Sequence, residues 1–433
     1  MPPAWRQWLG RRRRPVLRQG HQVRLLQSGA EFFPLLEQAI DAAVTSVWIE
    51  TYIFNDDASG QRIASALASA ARRGVEVRVV VDGYGTGEPR GRIAQLLASA
   101  PLDLRVFRPL ARWRFNWQAL RRLHRKLALI DSTTLFAGGI NLIDDHQDPA
   151  RGRLDSPRLD FAIEVRGPLV EQALIAMRHV WRRATLAGGA GAWSDAGVWP
   201  DAGAWRDACA GPDAATAPAP LPVPAARATD RPQAWLGAPG RLVSAAFVER
   251  DNWRHRKAIE RAYLRAIGAA RHDVLIACAY FFPGARFRRA LAEAAARGVR
   301  VRLLLQGQIE YRLPHFGTLS LHEELLRAGV EIIEYQPGFL HAKLALADQW
   351  LTVGSSNIDP FSLLLAREAN VIVHDAQTAA ALRARVEQAI AEGGVPVGWS
   401  HIVARPWWVR LTAHGAALIL RIGVAVSGRG LRY

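Results

Sequence analysis

A chain of 433 residues, half of them apolar, can bury a sizeable core and has the length of two or three domains, which excludes a small scaffold stapled by disulfides. Its formal net charge of +17 calls for a negative partner, either nucleic acid or anionic lipid. The two cysteines, Cys209 in a loose Ala/Gly/Pro stretch and Cys278 inside an apolar run, form no disulfide framework and favour a reducing compartment.

The first segment, 1–19, sets Trp5, Trp8 and Leu9 ahead of four arginines, Arg11 to Arg14, a pairing suited to a membrane interface with anionic headgroups. No apolar run in the first forty residues is long enough for a secretory signal or a membrane span, so the body is expected on the cytoplasmic face.

From residue 20 onward the chain is written twice. The first half, 20–186, predicts a helix over 35–43, an apolar strand over 46–54, a helix over 63–73, a turn at Gly74 and a strand over 75–82. The second half, 241–395, repeats the order with a helix over 258–270, a strand over 274–282, a helix over 288–297, a turn at Gly298 and a strand over 299–306. Strands alternating with helices of this length predict an α/β fold of two duplicated β-α-β-rich halves, with mixed sheets flanked by helices and packed as a pseudo-dimer.

Between the halves, 187–240 is rich in Ala, Gly, Pro and Asp, with Trp193, Trp199 and Trp205 evenly spaced; this composition supplies no regular core and reads as a linker or insertion. The last segment, 396–433, brings Trp407 and Trp408 before an apolar stretch over 411–426 that His414 and Arg421 interrupt. It is short for a span and reads as an interfacial, membrane-associating helix, or as a helix packed on the body.

The chemistry lies in His-x-Lys-x-x-x-x-Asp, present once per half as His124, Lys126, Asp131 and as His341, Lys343, Asp348. Of the 56 basic residues only Lys126, Lys257 and Lys343 are lysine, so two of three lysines sit in the two motifs. A sequence that otherwise prefers arginine keeps a compact ammonium where a guanidinium fork would not fit. Lys257 also follows a histidine by two, at His255, but lacks the downstream acid and reads as surface.

Residues two apart on a strand share a face, so each His and its Lys project into one site, while each aspartate opens a turn where it can fix the backbone or a neighbouring cation. A glycine-containing turn then delivers an asparagine: Gly138-Gly139-Ile140-Asn141 and Gly354-Ser355-Ser356-Asn357. Asp160 and Glu368 follow as carboxylates able to set an imidazole tautomer.

A phosphodiester repels anionic nucleophiles, so a neutral imidazole suits the attack; two ammonium groups with asparagine donors can hold the nonbridging oxygens, and a second imidazole can protonate the leaving alkoxide. No Cys/His or carboxylate spacing resembles a metal site, and no cofactor is called for.

The double motif resembles the signature of the phospholipase D superfamily over about 20–185 and 240–375. The wording Arg122-Leu123-His124-Arg125-Lys126, Ala137-Gly138-Gly139-Ile140-Asn141 and Gly354-Ser355-Ser356-Asn357-Ile358-Asp359-Pro360, then Ser362-Leu363, is similar to bacterial cardiolipin synthases, of the shorter type without N-terminal transmembrane helices. The resemblance implies the phospholipase D fold, with Glu50 to Phe54 and Tyr280 to Pro283 bordering the substrate groove. It implies a two-step transfer from one phosphatidylglycerol to another through a phosphohistidine, with His124 as nucleophile and His341 as acid and base. The expected partners are phosphatidylglycerol and an anionic membrane surface, with no obligate protein partner. A lipid hydrolase or a nuclease of the superfamily would share the site, and a silent scaffold would keep only the fold.

Overall fold

The protein was examined as a computed structural model, which describes residues 15–87, 91–109, 121–187, 242–251, 255–360, 362 and 366–426. The expected N-terminal Trp and Arg cluster, Leu363, and all of the linker but its first residue lie outside these residues.

The first half begins on a strand that the repeat did not announce, β1 (Arg18–Gln27), followed by α1 (Ser28–Asp41), β2 (Ser46–Thr51), α2 (Ala58–Arg72), β3 (Glu76–Asp82), α3 (Gly91–Ala98) and β4 (Asp103–Phe107). It closes with β5 (Lys126–Ile130), β6 (Thr134–Gly138), the small hairpin β7 (Gln147–Asp148) and β8 (Gly152–Arg153), β9 (Phe161–Arg166) and α4 (Leu169–Ala187).

The second half runs β10 (Val243–Arg250), α5 (Ala258–Ala269), β11 (Asp273–Cys278), α6 (Ala285–Ala296), β12 (Arg300–Gln306), α7 (Arg312–Leu319), α8 (His322–Arg327) and β13 (Glu331–Tyr335). It continues with β14 (Lys343–Ala347), β15 (Trp350–Gly354), β16 (Glu368–His374) and α9 (Ala376–Gly393), and ends in β17 (Gly394–Pro396), α10 (Trp399–Val403) and α11 (Trp407–Val426).

The helices stop where the sequence says they should. Gly74 and Gly298 take the left-handed φ of 91° and 86° that ends α2 and α6 and turns the chain into the next strand. At its other end α2 is capped by Asp57, which accepts the Gly60 N–H at 2.9 Å.

Each half places three parallel strands (β2, β3 and β4; β11, β12 and β13) beside antiparallel ones, giving the sheet order β17-β13-β12-β11-β14-β15-β16-β10-β1-β9-β6-β5-β2-β3-β4. The two mixed sheets are joined at their edges by the antiparallel pair β1 and β10. The duplicated α/β architecture is therefore as expected.

The halves also share a core. Leu127 and Leu129 on β5 face Leu344 and Leu346 on β14 within one apolar cluster, while Ala128 and Ile130 turn to the first half's own core and Ala345 and Ala347 to the second's. Burial on both faces is why these strands are continuous apolar runs rather than alternating ones. Arg125, buried at the same junction, donates to Glu50 at 2.8 and 2.9 Å and to Glu249 of the second half at 3.3 Å, so its charge is compensated from both sides.

Candidate active site

Both His-x-Lys segments end at a seam where each half is pinned to the other by backbone hydrogen bonds. His124 N–H donates to Arg367 C=O at 3.0 Å and Arg367 N–H to Arg122 C=O at 2.8 Å; His341 N–H donates to Leu159 C=O at 2.8 Å and Leu159 N–H to Phe339 C=O at 2.9 Å. The residue following each acceptor is the carboxylate, so the pairing is crossed. His124 Nδ1 lies 3.0 Å from Glu368 Oε1, and His341 Nδ1 lies 2.6 Å from Asp160 Oδ2.

Sequence spacing offered one carboxylate per half but not this exchange. A carboxylate at Nδ1 leaves Nε2 as the free nitrogen of each ring.

The two pairs are not equivalent. Ser355 Oγ donates to Glu368 Oε2 at 2.5 Å and accepts the Ala369 N–H at 3.0 Å. Burial works to raise Glu368, but His124, Lys126 and the Ser355 hydroxyl outweigh it, and its carboxyl lies below the usual range. In the first half Gly139 stands where Ser355 stands in the second. A Cβ there would meet Asp160 Oδ1 at 2.2 Å, so the glycine is required by the carboxylate's close approach. Burial pushes Asp160 up to about 6.

Lys126 Nζ donates to His124 C=O at 2.7 Å, and Lys343 Nζ likewise bonds His341 C=O. Burial pulls the Lys126 ammonium down to about 7 and lowers Lys343 as well. It also lowers both imidazoles, with the lysines adding to the effect, so each ring is neutral at pH 7.

A phosphodiester entering this site meets two poorly solvated ammonium groups whose charge its own oxygens stabilise. Asn141 Oδ1 accepts the Ile53 N–H at 3.1 Å, and buried Asn357 has an Oδ1 without a partner; both leave amide donors for such oxygens.

Asp131 and Asp348 are not brought to the site, which corrects their inclusion in the catalytic set. Each lies five residues beyond its lysine, about 16 Å along the strand. Asp131 accepts the N–H groups of Val44, Thr45 and Ser46 at 2.7–3.0 Å, and Asp348 those of Arg271, His272 and Asp273 at 2.9–3.1 Å. Both hold a left-handed φ, 49° and 53°. Their role is to lock the turn at the far end of β5 and β14, the backbone-fixing option that their turn position allowed.

Two kinds of residue escaped the sequence reading. Asp82 closes β3 and accepts the Leu123 N–H at 2.8 Å, and Gln306 closes β12 and accepts the Leu340 N–H at 2.9 Å. Each thereby fixes the peptide just before a site histidine. The signal was present as a polar residue ending an apolar strand at equivalent places. Tyr52 packs edge-on to the His124 ring with centroids 4.9 Å apart, and Lys126 Nζ sits 5.2 Å from its ring.

Among the described residues one group has metal-ligand geometry, Glu249, Asp251 and His255, with ligand atoms within 4.8 Å of one another. The Arg125 guanidinium on Glu249 opposes a cation there.

A family described as cardiolipin synthase, PLD-like domain, matches residues 36–148 and 263–390. Cardiolipin synthase B of Escherichia coli K12 is 34% identical over 403 residues, spanning 90% of this chain and 86% of its own length. The probable cardiolipin synthase YwiE of Bacillus subtilis is 27% identical over 382 residues, spanning 87% and 68%. The crystal structure of phosphatidylserine synthase from Haemophilus influenzae Rd KW20 is similar in fold, with a TM-score of 0.64 over 98% of this chain and 99% of that one at 14% identity.

Proposed function

The chain belongs to the family of cardiolipin synthases with a PLD-like domain, and from that membership we propose that it transfers a phosphatidyl group between two phosphatidylglycerol molecules through a phosphohistidine. The observation that carries the reading is the crossed pair of neutral imidazoles, each with a carboxylate at Nδ1, beside two buried lysines.

His124 Nε2 attacks phosphorus, and the Lys126 and Lys343 ammonium groups hold the nonbridging oxygens. Anionic Glu368 supports the charge that develops on the His124 ring. His341 gives a proton to the departing glycerol oxygen. The phosphodiester's negative charge offsets the lysine repulsion that keeps this imidazole neutral, so the proton is held between His341 and Asp160 while substrate is bound. The hydroxyl of the second lipid then loses its proton to His341 and displaces the histidine, giving cardiolipin with retention at phosphorus. Water in place of that hydroxyl would give phosphatidic acid.

Purified protein incubated with phosphatidylglycerol vesicles is expected to yield cardiolipin and free glycerol by mass spectrometry. Phosphatidic acid alone would make the enzyme a hydrolase, and no lipid product with cleavage of an oligonucleotide would make it a nuclease.

The reaction needs a lipid surface, and the tail is suited to reach one. No helix among the described residues is long and apolar enough to cross a membrane. Helix α11 turns its small side, Ala413, Ala416, Ala417 and Leu420, inward against the body, where Leu420 Cδ1 lies 2.5 Å from the position a Cβ on Gly317 of α7 would take. Its outer side shows Trp407, Trp408, Leu411, Leu418, Ile419 and Ile422, each more than half exposed, with Arg410, His414 and Arg421 along one edge.

That stripe is the proposed site of peripheral attachment on the cytoplasmic face. At about 1.5–3 kcal/mol for each large apolar side chain buried in lipid, Leu411→Glu with Ile419→Glu should lower binding to anionic vesicles at least about 100-fold. Sedimentation with vesicles measures it, and unchanged binding would remove α11 from the interface.

A further inference from the structure

The two halves diverge where an alcohol must sit. The registers of β2 with β5 and of β11 with β14 make Tyr52 equivalent to Ala279, and the residue after each pairs next to its own half's motif. Where Tyr52 covers His124, the small Ala279 leaves space beside His341. Ala279 N–H donates to Ala342 C=O at 3.1 Å, between His341 and Lys343. A cleft of about 310 Å³ opens there, at the small end of the range for ligand clefts.

Its lining includes Ala279, Tyr280, Gln306, Glu310, Tyr311 and Thr318. Three features of it have hydrogen-bonding capacity to spare. Gln306 uses its carbonyl oxygen on Leu340 N–H, while its Nε2 is buried with no partner. Tyr280 O–H donates to Glu310 Oε2 at 2.5 Å and so fixes a carboxylate whose Oε1 has no bond within the chain. Arg151 holds the loop under Glu310 by donating to the Ile309 and Glu310 carbonyls, both at 2.7 Å.

We infer that this cleft is the subsite for the glycerol group, a vicinal diol, of both the leaving and the entering alcohol. One free amide donor and one fixed carboxylate acceptor match two neighbouring hydroxyls, each of which donates and accepts. An ammonium headgroup fits less well, because Lys343, Arg158 and Arg151 surround the carboxylate and burial raises the Glu310 carboxyl.

The assignment rests on the proposed transfer between phosphatidylglycerols, and it puts the alcohol on the His341 side of phosphorus. When the bond from phosphorus to the glycerol oxygen breaks as the bond to His124 Nε2 forms, His341 supplies the proton. When the second glycerol oxygen bonds phosphorus and the bond to His124 breaks, His341 takes the proton back.

The test offers deuterated glycerol and ethanol together to the full chain with phosphatidylglycerol in mixed micelles. It measures the ratio of labelled phosphatidylglycerol to phosphatidylethanol, which cancels losses of overall activity or folded fraction. Gln306→Glu keeps the acceptor for Leu340 N–H and deletes the donor; Glu310→Gln removes the anionic acceptor. Each is expected to lower the glycerol-to-ethanol ratio about tenfold, since a site built to bond a hydroxyl loses its preference when the partner is gone. An unchanged ratio in both variants overturns the subsite while leaving transfer intact. A wild-type chain that makes neither phosphatidyl product overturns instead the function on which the subsite rests.

Discussion

His124→Ala should reduce cardiolipin formation by at least about 10⁴-fold, and His341→Ala should do nearly as much, because residues acting as a unit fail together when either is removed. The two variants should part company on a donor whose leaving group is nitrophenol. Nitrophenolate departs without a proton, so an enzyme lacking only its general acid can still form the covalent intermediate. His341→Ala is therefore expected to release a burst of one nitrophenol per chain and to accumulate a phosphatidyl adduct on intact-protein mass spectrometry. His124→Ala is expected to show neither.

The reverse pattern would exchange the roles of the two histidines. Three observations favour the assignment as given: the lowered carboxyl of Glu368 behind His124, the Tyr52 ring against it, and the open cleft on the His341 side. Melting temperatures of both variants, kept within a few degrees of wild type, show that the losses are chemical.

The duplication was legible because it repeats every level at once, from the Gly74 and Gly298 helix stops to the apolar strands behind each His-x-Lys. The strand β1 was not, because its role is to join the halves through β10, and a pairing partner more than 200 residues away leaves no local signature. The same holds within the site. Histidine, lysine and asparagine could be placed by type and spacing, whereas the exchange of carboxylates between halves follows from the backbone bonds of Arg367 and Leu159 across the seam.

The motif aspartates mislead for a related reason. Asp131 and Asp348 recur with the histidines because the turn they lock sets the strand that carries the lysine, and sequence spacing does not distinguish a residue at the site from one at the far end of the strand leading to it.

The crossed pairing makes the second large prediction. Glu368→Gln should cost about 10³–10⁴-fold in turnover, the scale seen when a buried carboxylate behind a catalytic imidazole is made neutral. The loss should fall on His124, in the other half of the chain. Burial, which lowers that imidazole, is opposed chiefly by Glu368, so a neutral amide leaves the ring without support for the charge it gains on attack. The nitrophenol burst should then disappear, as it does for His124→Ala.

Asp160→Asn should instead leave the burst and stop its turnover, because His341 is needed to deprotonate the alcohol that displaces the histidine. Adding His124→Ala to Glu368→Gln should cost little beyond the single change, since both remove the same step. If Glu368→Gln spared the burst and Asp160→Asn abolished it, each carboxylate would be serving the histidine of its own half, and the seam would be a structural joint rather than the place where the catalytic pairs are made.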